Sequence, residues 1–293
     1  MDKVAFLFSG QGSQYVGMGK ELYEQNTAAR SVFVAADSHV GYALSDLCFL
    51  GPKEDLDLTE NTQPAILTVS MAACQALAVN GIYPDMVAGL SLGEYSALVC
   101  SQVLTFTQTV KLVRKRGQYM QEAVPKGVGG MAAILGLTTE KVEEACQAAR
   151  GIGVVQVANY NCPEQVVISG VKAALEAACR KATELGAKRV IPLEVSGPFH
   201  TGLLNPAAEK LAEELKKITF KEPRIPVISN VTAQVMKDAA EAADLLPQQV
   251  KSPVLWEKTI RVMLDSGVDT FVEIGPGSIL RAAMAGAIGA GGV

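Results

Sequence analysis

A serine framed by two glycines is the part of this chain best suited to covalent chemistry. Residues 89–93 read GLSLG, so Gly89 and Gly93 flank Ser91 at equal spacing. In a sharp turn between a strand and a helix, larger side chains would collide at the glycine positions, and the N–H groups of the helix N-terminus face the substrate. The apolar run before Ser91 fits a buried strand, and the run after it fits a helix. The pattern therefore favours a nucleophilic serine over a structural turn.

Such a serine needs a base, because its hydroxyl is a weak nucleophile while it holds its proton. The chain contains two histidines, His39 and His200. Gly197 and Pro198 predict a tight turn just before His200, and the segment around His39 has no such framing. His200 is therefore the predicted base. No histidine follows it near the C-terminus, as one would in an ordinary α/β-hydrolase. No triad acid can be identified, so either a carboxylate or a backbone carbonyl orients the imidazole.

A large α/β domain would position these two residues. The apolar run at 4–10 and the run at 86–91 are typical of buried parallel strands, and residues 64–80 fit a helix that starts at Pro64. The other elements predicted for this domain are strands at 225–230 and 270–275 and a helix over 244–266 that is interrupted near Ser252.

Residues 131–195 follow a pattern of their own. Their periodicity predicts a strand, a helix, two strands, a helix and a strand, which is the order of a ferredoxin-like domain. Glycine-rich stretches flank this segment on both sides. The predicted fold class is therefore α/β: an α/β-hydrolase-like parallel-sheet domain formed by residues 1–126 and 197–293, with a ferredoxin-like α+β subdomain inserted at residues 127–196.

Composition limits the classes of function. Of the 293 residues, 49% are hydrophobic and 19% are charged, which suits a large core. The net charge of −4 with scattered lysines and arginines argues against a nucleic-acid partner. Six cysteines without a C-x-x-C pair, beside two histidines, argue against a metal site. The first residues do not fit a secretory signal, and no long uncharged apolar run stands out. We expect a cytoplasmic protein with no membrane span.

The segment GQGSQ at 10–14 imitates a dinucleotide-binding fingerprint. Gly10 and Gly12 fit that pattern, but Tyr15 stands where the third glycine belongs. No acidic residue follows at the end of a plausible second strand. We therefore expect no bound cofactor.

Taken together, six segments in order resemble the malonyl-CoA:acyl carrier protein transacylases of fatty acid synthesis, over about residues 4 to 283. The segments are GQGSQ at 10–14, GLSLGEYSAL at 89–98, RG at 116–117, NYNCPEQVVISG at 159–170, GPFHT at 197–201 and PVLW at 253–256. The resemblance implies that Ser91 attacks the thioester of malonyl-CoA with His200 as base. The malonyl group would then pass from the serine to the phosphopantetheine thiol of acyl carrier protein.

The resemblance also implies roles for four further residues. The backbone N–H groups of Gln11 and Leu92 would hold the oxyanion, and a backbone carbonyl near Gln249 would orient the histidine. Arg116 would bind the free carboxylate of malonate, to which a planar guanidinium can donate two parallel hydrogen bonds. In the helix predicted over 106–124, Arg114 and Arg116 flank the apolar stripe on opposite sides, so only the resemblance selects Arg116.

Five positions near the motifs are less determined. Asn159 and Asn161 either form a turn or line the cleft, and the bulky Phe199 resembles the residue that precedes the base in malonyl-selective relatives. Cys162 has no adjacent positive charge, so we expect an inert thiol. Leu90 stands where the family commonly has a histidine, which leaves the role of that position open.

Three alternatives to a malonyltransferase of fatty acid synthesis remain. They are a serine esterase or thioesterase, an acyltransferase of a polyketide pathway with the same chemistry, and a non-catalytic scaffold. A dicarboxylic acyl group needs a cation and a simple fatty ester does not, so Arg116 favours the transferase. The retained serine, histidine and arginine disfavour a scaffold. The expected partners are malonyl-CoA and acyl carrier protein, and we expect a monomer.

Overall fold

The structure is a computed structural model that describes residues 3–278, 280 and 286. These residues contain two β-sheets. The strands are β1 Val4–Phe8, β2 Met86–Gly89, β3 Gly129–Leu135, β4 Val155–Cys162, β5 Gln165–Val171, β6 Arg189–Pro192 and β7 Thr270–Ile274. The helices are α1 Lys20–Gln25, α2 Thr27–Val40, α3 Leu44–Leu50, α4 Lys53–Leu56, α5 Thr59–Val79, α6 Gly93–Cys100, α7 Phe106–Ala123, α8 Thr139–Ala149, α9 Lys172–Glu184, α10 Asn205–Leu215, α11 Ala239–Gln249 and α12 Trp256–Asp265.

The first sheet is parallel and has β1 at its centre, between β2 and β7. Strand β1 is an apolar run with four of its five residues buried, as expected for a strand covered on both faces. Phe8 at the end of β1 pairs with Gly89 and with Ile274 at the ends of its two neighbours. The carboxyl ends of all three strands therefore meet at one edge, where open α/β sheets bind their ligands.

The predicted strand at 225–230 is not a full strand. Val227 forms one parallel bridge with Val87 of β2, and Ile228 pairs with Val235. The pairing ends there because the chain turns back at once, with the N–H of Ser229 donating to the oxygen of Gln234. The segment therefore reaches the edge of the sheet without extending it.

Helix α5 begins earlier than predicted. Its first residue is Thr59, and Pro64 lies inside the helix and is buried, so the prediction that Pro64 starts the helix is wrong. As the sixth residue of α5, the proline has no N–H to donate along the helix, so one intrahelical hydrogen bond is missing. By length and composition α5 could cross a membrane, but 67% of its apolar window is buried in the protein, where it packs against α2, α6 and α7. It is a core helix.

The predicted helix over 244–266 appears as α11 and α12.

The second sheet is antiparallel, with the strand order β4-β5-β3-β6. Helices α8 and α9 pack against it and against each other around a separate apolar core that includes Ile134, Val142 and Ile168. This is the ferredoxin-like arrangement, so the predicted fold class is confirmed. All elements of the second sheet fall within residues 129–192. The boundaries of the inserted subdomain at 127 and 196 stay a prediction.

The two parts of the chain are joined by backbone pairing as well as by the connecting segments. The N–H of Val254 donates to the oxygen of Ala158 (2.8 Å), and the N–H of Tyr160 donates to the oxygen of Val254 (2.9 Å). The side chain of Gln156, also on β4, donates to the carbonyl of His200 (3.2 Å). Strand β4 therefore forms one wall beside the loop that carries the histidine.

Candidate active site

Ser91 lies in the predicted sharp turn between β2 and α6. Its φ of 54° is in the left-handed region, which is strained for a non-glycine residue. A Cβ at Gly89 would lie 2.0 Å from the carbonyl of Gly93, and a Cβ at Gly93 would lie 2.2 Å from the oxygen of Phe8. Both glycines are therefore required by close backbone approach, which is the steric reason for the G-x-S-x-G spacing.

The side chain of Asn230 holds this turn from both sides. Its Oδ1 accepts the N–H of Ser91 (2.7 Å), and its Nδ2 donates to the oxygen of Gly89 (2.7 Å). Asn230 is fully buried. The sequence analysis missed this residue, although its position at the end of the segment that pairs with β2 placed it at the same edge of the sheet.

His200 lies within hydrogen-bond distance of the serine. Its Nε2 is 2.8 Å from the Oγ of Ser91, and its Nδ1 is 2.9 Å from the carbonyl oxygen of Gln249 and 3.1 Å from that of Ser252. Carbonyl oxygens only accept, so Nδ1 carries the proton and Nε2 is left as an acceptor for the serine hydroxyl. The group that orients the imidazole is thus a backbone carbonyl, joined by a second one at Ser252 that the sequence did not indicate. His39 lies exposed near the end of α2.

The imidazole is held in its neutral form. The pKa of His200 is lowered from 6.5 to about 4, first because burial disfavours the cation and then because the positive charge of Arg116 is close. The hydrogen bonds to Gln249 and Ser252 oppose this shift only in part. At neutral pH the side chain can therefore accept a proton from Ser91, as a base must.

Arg116 is the buried cation of the site, with only 1% of its surface exposed. Its Nη1 donates to Oε1 of Gln63 (2.8 Å), and its Nη2 donates to Oε1 of Gln249 (3.0 Å) and to Oγ of Ser91 (3.3 Å). The guanidinium also lies 5.3 Å from the ring centroid of Tyr95. Within the described residues its hydrogen-bond partners are neutral and it forms no salt bridge, and the buried carboxyl group of Glu94 attracts its charge from a longer distance.

Arg114, the other arginine of α7, points elsewhere. Its Nη1 donates to the carbonyl of Val40 (3.2 Å), and its guanidinium lies 4.8 Å from the ring centroid of Tyr42. The sequence pattern placed the two arginines on opposite sides of the helix, and the structure shows that Arg116 is the one beside Ser91.

Two backbone N–H groups near Ser91 are unused. In the described part of the chain neither the N–H of Gln11, just after β1, nor that of Leu92, just before α6, makes a hydrogen bond, whereas the N–H of Ser91 is taken by Asn230. Leu90 is fixed through its main chain, donating to the oxygen of Phe8 (3.0 Å). The side chain of Leu90 packs in an apolar cluster and supplies no polar group.

The remaining predicted residues lie close to the histidine along the chain or on β4. Phe199 is buried in the main core beside His200. Asn159 is buried in β4 at its bridge with Val254, and the Oδ1 of Asn161 is buried without a hydrogen bond inside the described residues. Their roles as cleft residues stay predictions.

Neither a reactive thiol nor a metal site stands out near the serine. Burial raises the pKa of the Cys162 thiol, which agrees with an inert side chain. Over residues 3–278, 280 and 286, no group of three His, Cys, Asp or Glu side chains could hold a metal ion.

A carboxyl group that the sequence analysis missed lies directly behind the turn. Glu94, the second residue of α6, is fully buried, and burial raises its pKa to about 7. Its Oε2 accepts the side-chain N–H of Gln249 (2.6 Å) and the backbone N–H of Asn230 (3.3 Å). It is part of the same hydrogen-bonded cluster as the serine, the histidine and the arginine.

Comparison with known proteins agrees with this arrangement. Residues 5–290 match the model of the acyl transferase domain family. The malonyl CoA-acyl carrier protein transacylase of Bacillus subtilis strain 168 is 52% identical over 96% of this chain and 89% of its own length. MCAT from Streptococcus pneumoniae is 48% identical, with a TM-score of 0.94 over 97% of this chain and 93% of that one.

A third relative was solved as a complex. The structure of a type II PKS acyl-carrier protein with its malonyl-transacylase matches with a TM-score of 0.96 and 41% identity, over 98% of this chain and 93% of that one. The resemblance found in the sequence is confirmed: the chain belongs to the acyl transferase domain family and, within it, to the malonyl CoA-acyl carrier protein transacylases.

Proposed function

We propose that this protein transfers a malonyl group from malonyl-CoA to the phosphopantetheine thiol of acyl carrier protein, through a malonyl ester on Ser91. The observation that carries the proposal is the buried guanidinium of Arg116, whose Nη2 lies 3.3 Å from the Oγ of Ser91 and whose direct partners are neutral. A nucleophile beside a buried cation that makes hydrogen bonds only to neutral groups within the described residues suits an acyl group that carries its own negative charge.

The first half-reaction loads the serine. Nε2 of His200 takes the hydroxyl proton of Ser91 as Oγ bonds to the thioester carbon, and the carbon–sulfur bond then breaks. The departing CoA sulfur receives that proton from His200. The negative charge on the carbonyl oxygen between these events is held by the unused N–H groups of Gln11 and Leu92.

The second half-reaction runs the same steps with a different thiol. The phosphopantetheine thiol gives its proton to His200 and attacks the ester carbon. The bond between that carbon and Oγ breaks, and the proton returns to Ser91. Because the base starts and ends neutral in both halves, a low pKa at His200 suits both directions of transfer.

Arg116 determines which acyl group is accepted. The carboxylate carbon of a malonyl ester is only three bonds from Oγ, so the same guanidinium that contacts Ser91 can bind it. A paired interaction between guanidinium and carboxylate gains two charge-assisted hydrogen bonds. A fatty acyl chain would instead place an apolar group beside the buried cation and supply no negative charge, which argues against an esterase or a fatty acyl thioesterase.

Other observations support a pathway and a compartment for the protein. The bacterial relatives named above support fatty acid synthesis, and the relative solved with a type II PKS acyl-carrier protein favours a polyketide pathway as the second candidate. All six cysteines are free thiols, which supports a reducing cytoplasm. Malonyl-CoA enters as a substrate, and we expect no bound cofactor.

The test is intact-protein mass spectrometry after brief mixing with malonyl-CoA, with acetyl-CoA as the comparison. We expect a malonyl-sized increase in mass that is lost on addition of acyl carrier protein. Steady release of CoA with no increase in mass would indicate a hydrolase and would overturn the proposal.

A further inference from the structure

One residue, Gln249, contacts Ser91, His200 and Arg116. Gln249 is the last residue of α11 and is 1% exposed. Its main-chain oxygen accepts the Nδ1–H of His200, its Nε2 donates to the oxygen of Ser91 (2.8 Å), and its Oε1 accepts from Nη2 of Arg116 (3.0 Å). Nε2 also donates to Oε2 of Glu94 (2.6 Å). Every polar atom of this side chain is therefore engaged.

The direction of the amide of Gln249 is determined by its neighbours. The carbonyl of Ser91 and the ionised form of Glu94 only accept hydrogen bonds, and a guanidinium only donates them. Glu94 and Ser91 therefore require the NH₂ end, which leaves the oxygen to face Arg116. In the reversed orientation the amide oxygen would face two acceptors and the NH₂ would face a cation. Of the two acceptors, Glu94 is closer and can be charged, so it makes the stronger bond.

Glu94 has no other use in the proposed mechanism. Its Oε2 also accepts the N–H of Asn230, and its Oε1 has no hydrogen-bond partner among the described residues. Burial makes a carboxyl group costly at this position, and its attraction to the charge of Arg116 offsets only part of that cost. An acidic residue at this position is therefore better explained by what its oxygen does to Gln249.

We propose that Glu94 is a positioning residue for acyl-group selection: through the amide of Gln249 it holds Nη2 of Arg116 toward the acyl group on Ser91. The inference rests on the proposed function, in which Arg116 binds the malonyl carboxylate. Glu94 does not touch the substrate. Its loss should therefore weaken recognition of malonyl much more than transfer of an acyl group that has no carboxylate.

The test compares two substitutions of similar size. Glu94→Met removes the acceptor, and Glu94→Gln keeps an acceptor oxygen for Gln249. We expect Glu94→Met to lower the malonyl-to-acetyl ratio of kcat/KM by at least about tenfold, because the loss of one hydrogen bond to a charged group has an effect of about that size. The loss should appear mainly as a higher KM for malonyl-CoA. Glu94→Gln should keep the ratio within about threefold of the original protein.

A control and a second variant distinguish the positioning of Arg116 from a general loss of structure or activity. Ser96→Ala, on the same helix, removes a buried hydroxyl that makes no hydrogen bond within the described part, and it should leave the ratio unchanged. Gln249→Met keeps the carbonyl for His200 but removes the amide, so it should lower the ratio as Glu94→Met does. If Glu94→Met does not fold, a Gln249→Met variant that keeps the ratio still overturns the inference, because the link from Glu94 to Arg116 runs through this amide.

The outcomes distinguish this inference from the proposed function. If Arg116→Ala retains the preference for malonyl, the proposed role of Arg116 fails. If Arg116→Ala loses the preference while Glu94→Met or Gln249→Met keeps it, only the role of Glu94 is overturned. Equal losses on malonyl and acetyl in the Glu94→Met variant would also overturn it, because a merely structural residue would act on both.

Discussion

The Nδ1 atom of His200 lies 2.9 Å from the main-chain carbonyl oxygen of Gln249. A peptide carbonyl fixes the tautomer of an imidazole without adding a negative charge beside it. A carboxylate in the same place would raise the pKa of the histidine and would compete with the substrate for the charge of Arg116. The backbone contact therefore suits a site that binds an anion next to its base.

The first prediction concerns the pH dependence of transfer. Because burial and the charge of Arg116 lower the pKa of His200 to about 4, kcat/KM for malonyl transfer should decline only below about pH 5. Arg116→Ala removes the second of these causes, so its acid limb in acetyl transfer should move to higher pH while staying below 6.5. An acid limb near 6.5 in the unmodified protein would contradict the burial of the base.

The second prediction concerns stability. Between pH 6.5 and about 4 folded His200 binds fewer protons than the unfolded chain, so its contribution to stability is lost as pH falls. Between pH 4.5 and about 7 folded Glu94 binds more protons, so its contribution is lost as pH rises. As pH falls from 6.5 to about 4, the free energy of unfolding of His200→Gln should rise relative to that of the unmodified protein, by up to about 3 kcal/mol. As pH falls from about 7 to 4.5, that of Glu94→Gln should fall relative to the unmodified protein, also by up to about 3 kcal/mol. Denaturant unfolding at several pH values measures both slopes, and slopes of the same sign would contradict the prediction.

The third prediction identifies the nucleophile. Ser91→Ala should abolish the acyl-enzyme adduct that forms with malonyl-CoA, because no other hydroxyl lies 2.8 Å from Nε2 of His200 in the described residues. Ser96→Ala, five residues along the same turn and helix, should form the adduct as before. Intact-protein mass spectrometry distinguishes the two, and a persisting adduct in Ser91→Ala would mean that another residue is acylated.

The fourth prediction concerns the carboxylate. Arg116→Ala should reduce malonyl transfer by about 100-fold or more, because two charge-assisted hydrogen bonds of about 1.5–3 kcal/mol each are lost. Acetyl transfer should fall much less. Arg114→Ala is the matched control, since that side chain is held by the carbonyl of Val40 instead. Steady-state kinetics with both thioesters measures the difference, and equal losses on the two substrates would rule out a carboxylate-binding role.

The fifth prediction concerns the turn itself. Gly93→Ala would bring a Cβ to 2.2 Å from the oxygen of Phe8, and backbone must move to relieve it. We expect a loss of more than about 3 kcal/mol in the free energy of unfolding. Gly151→Ala meets open space and should change stability by less than about 1 kcal/mol. Denaturant unfolding compares the two variants, and similar values would mean that the turn relaxes more easily than its geometry implies.

Local patterns predicted much of the fold and the location of the serine. The glycines at 89 and 93 and the apolar run before them lie within a few residues of Ser91, so the turn is encoded by contiguous sequence. The strand and helix periods of residues 131–195 likewise led to the ferredoxin-like arrangement. The errors came where context overrides local preference: Pro64 lies inside α5, and the segment at 225–230 turns back after a single bridge to β2.

The hydrogen bonds of the candidate site join residues that are far apart in the chain. Asn230 is 139 residues from the Ser91 N–H that it accepts, and Gln249 is 155 residues from Glu94. The choice of Arg116 over Arg114 likewise depends on which side of α7 faces Gln249 and Ser91. Periodicity reports which face of an element is buried, but it does not report which distant side chain lies opposite. The turn, the strands and the helices are therefore readable from neighbouring residues, whereas the direction of the Gln249 amide and the use of Glu94 arise only from the packing of α6, α7 and α11 at one edge of the sheet.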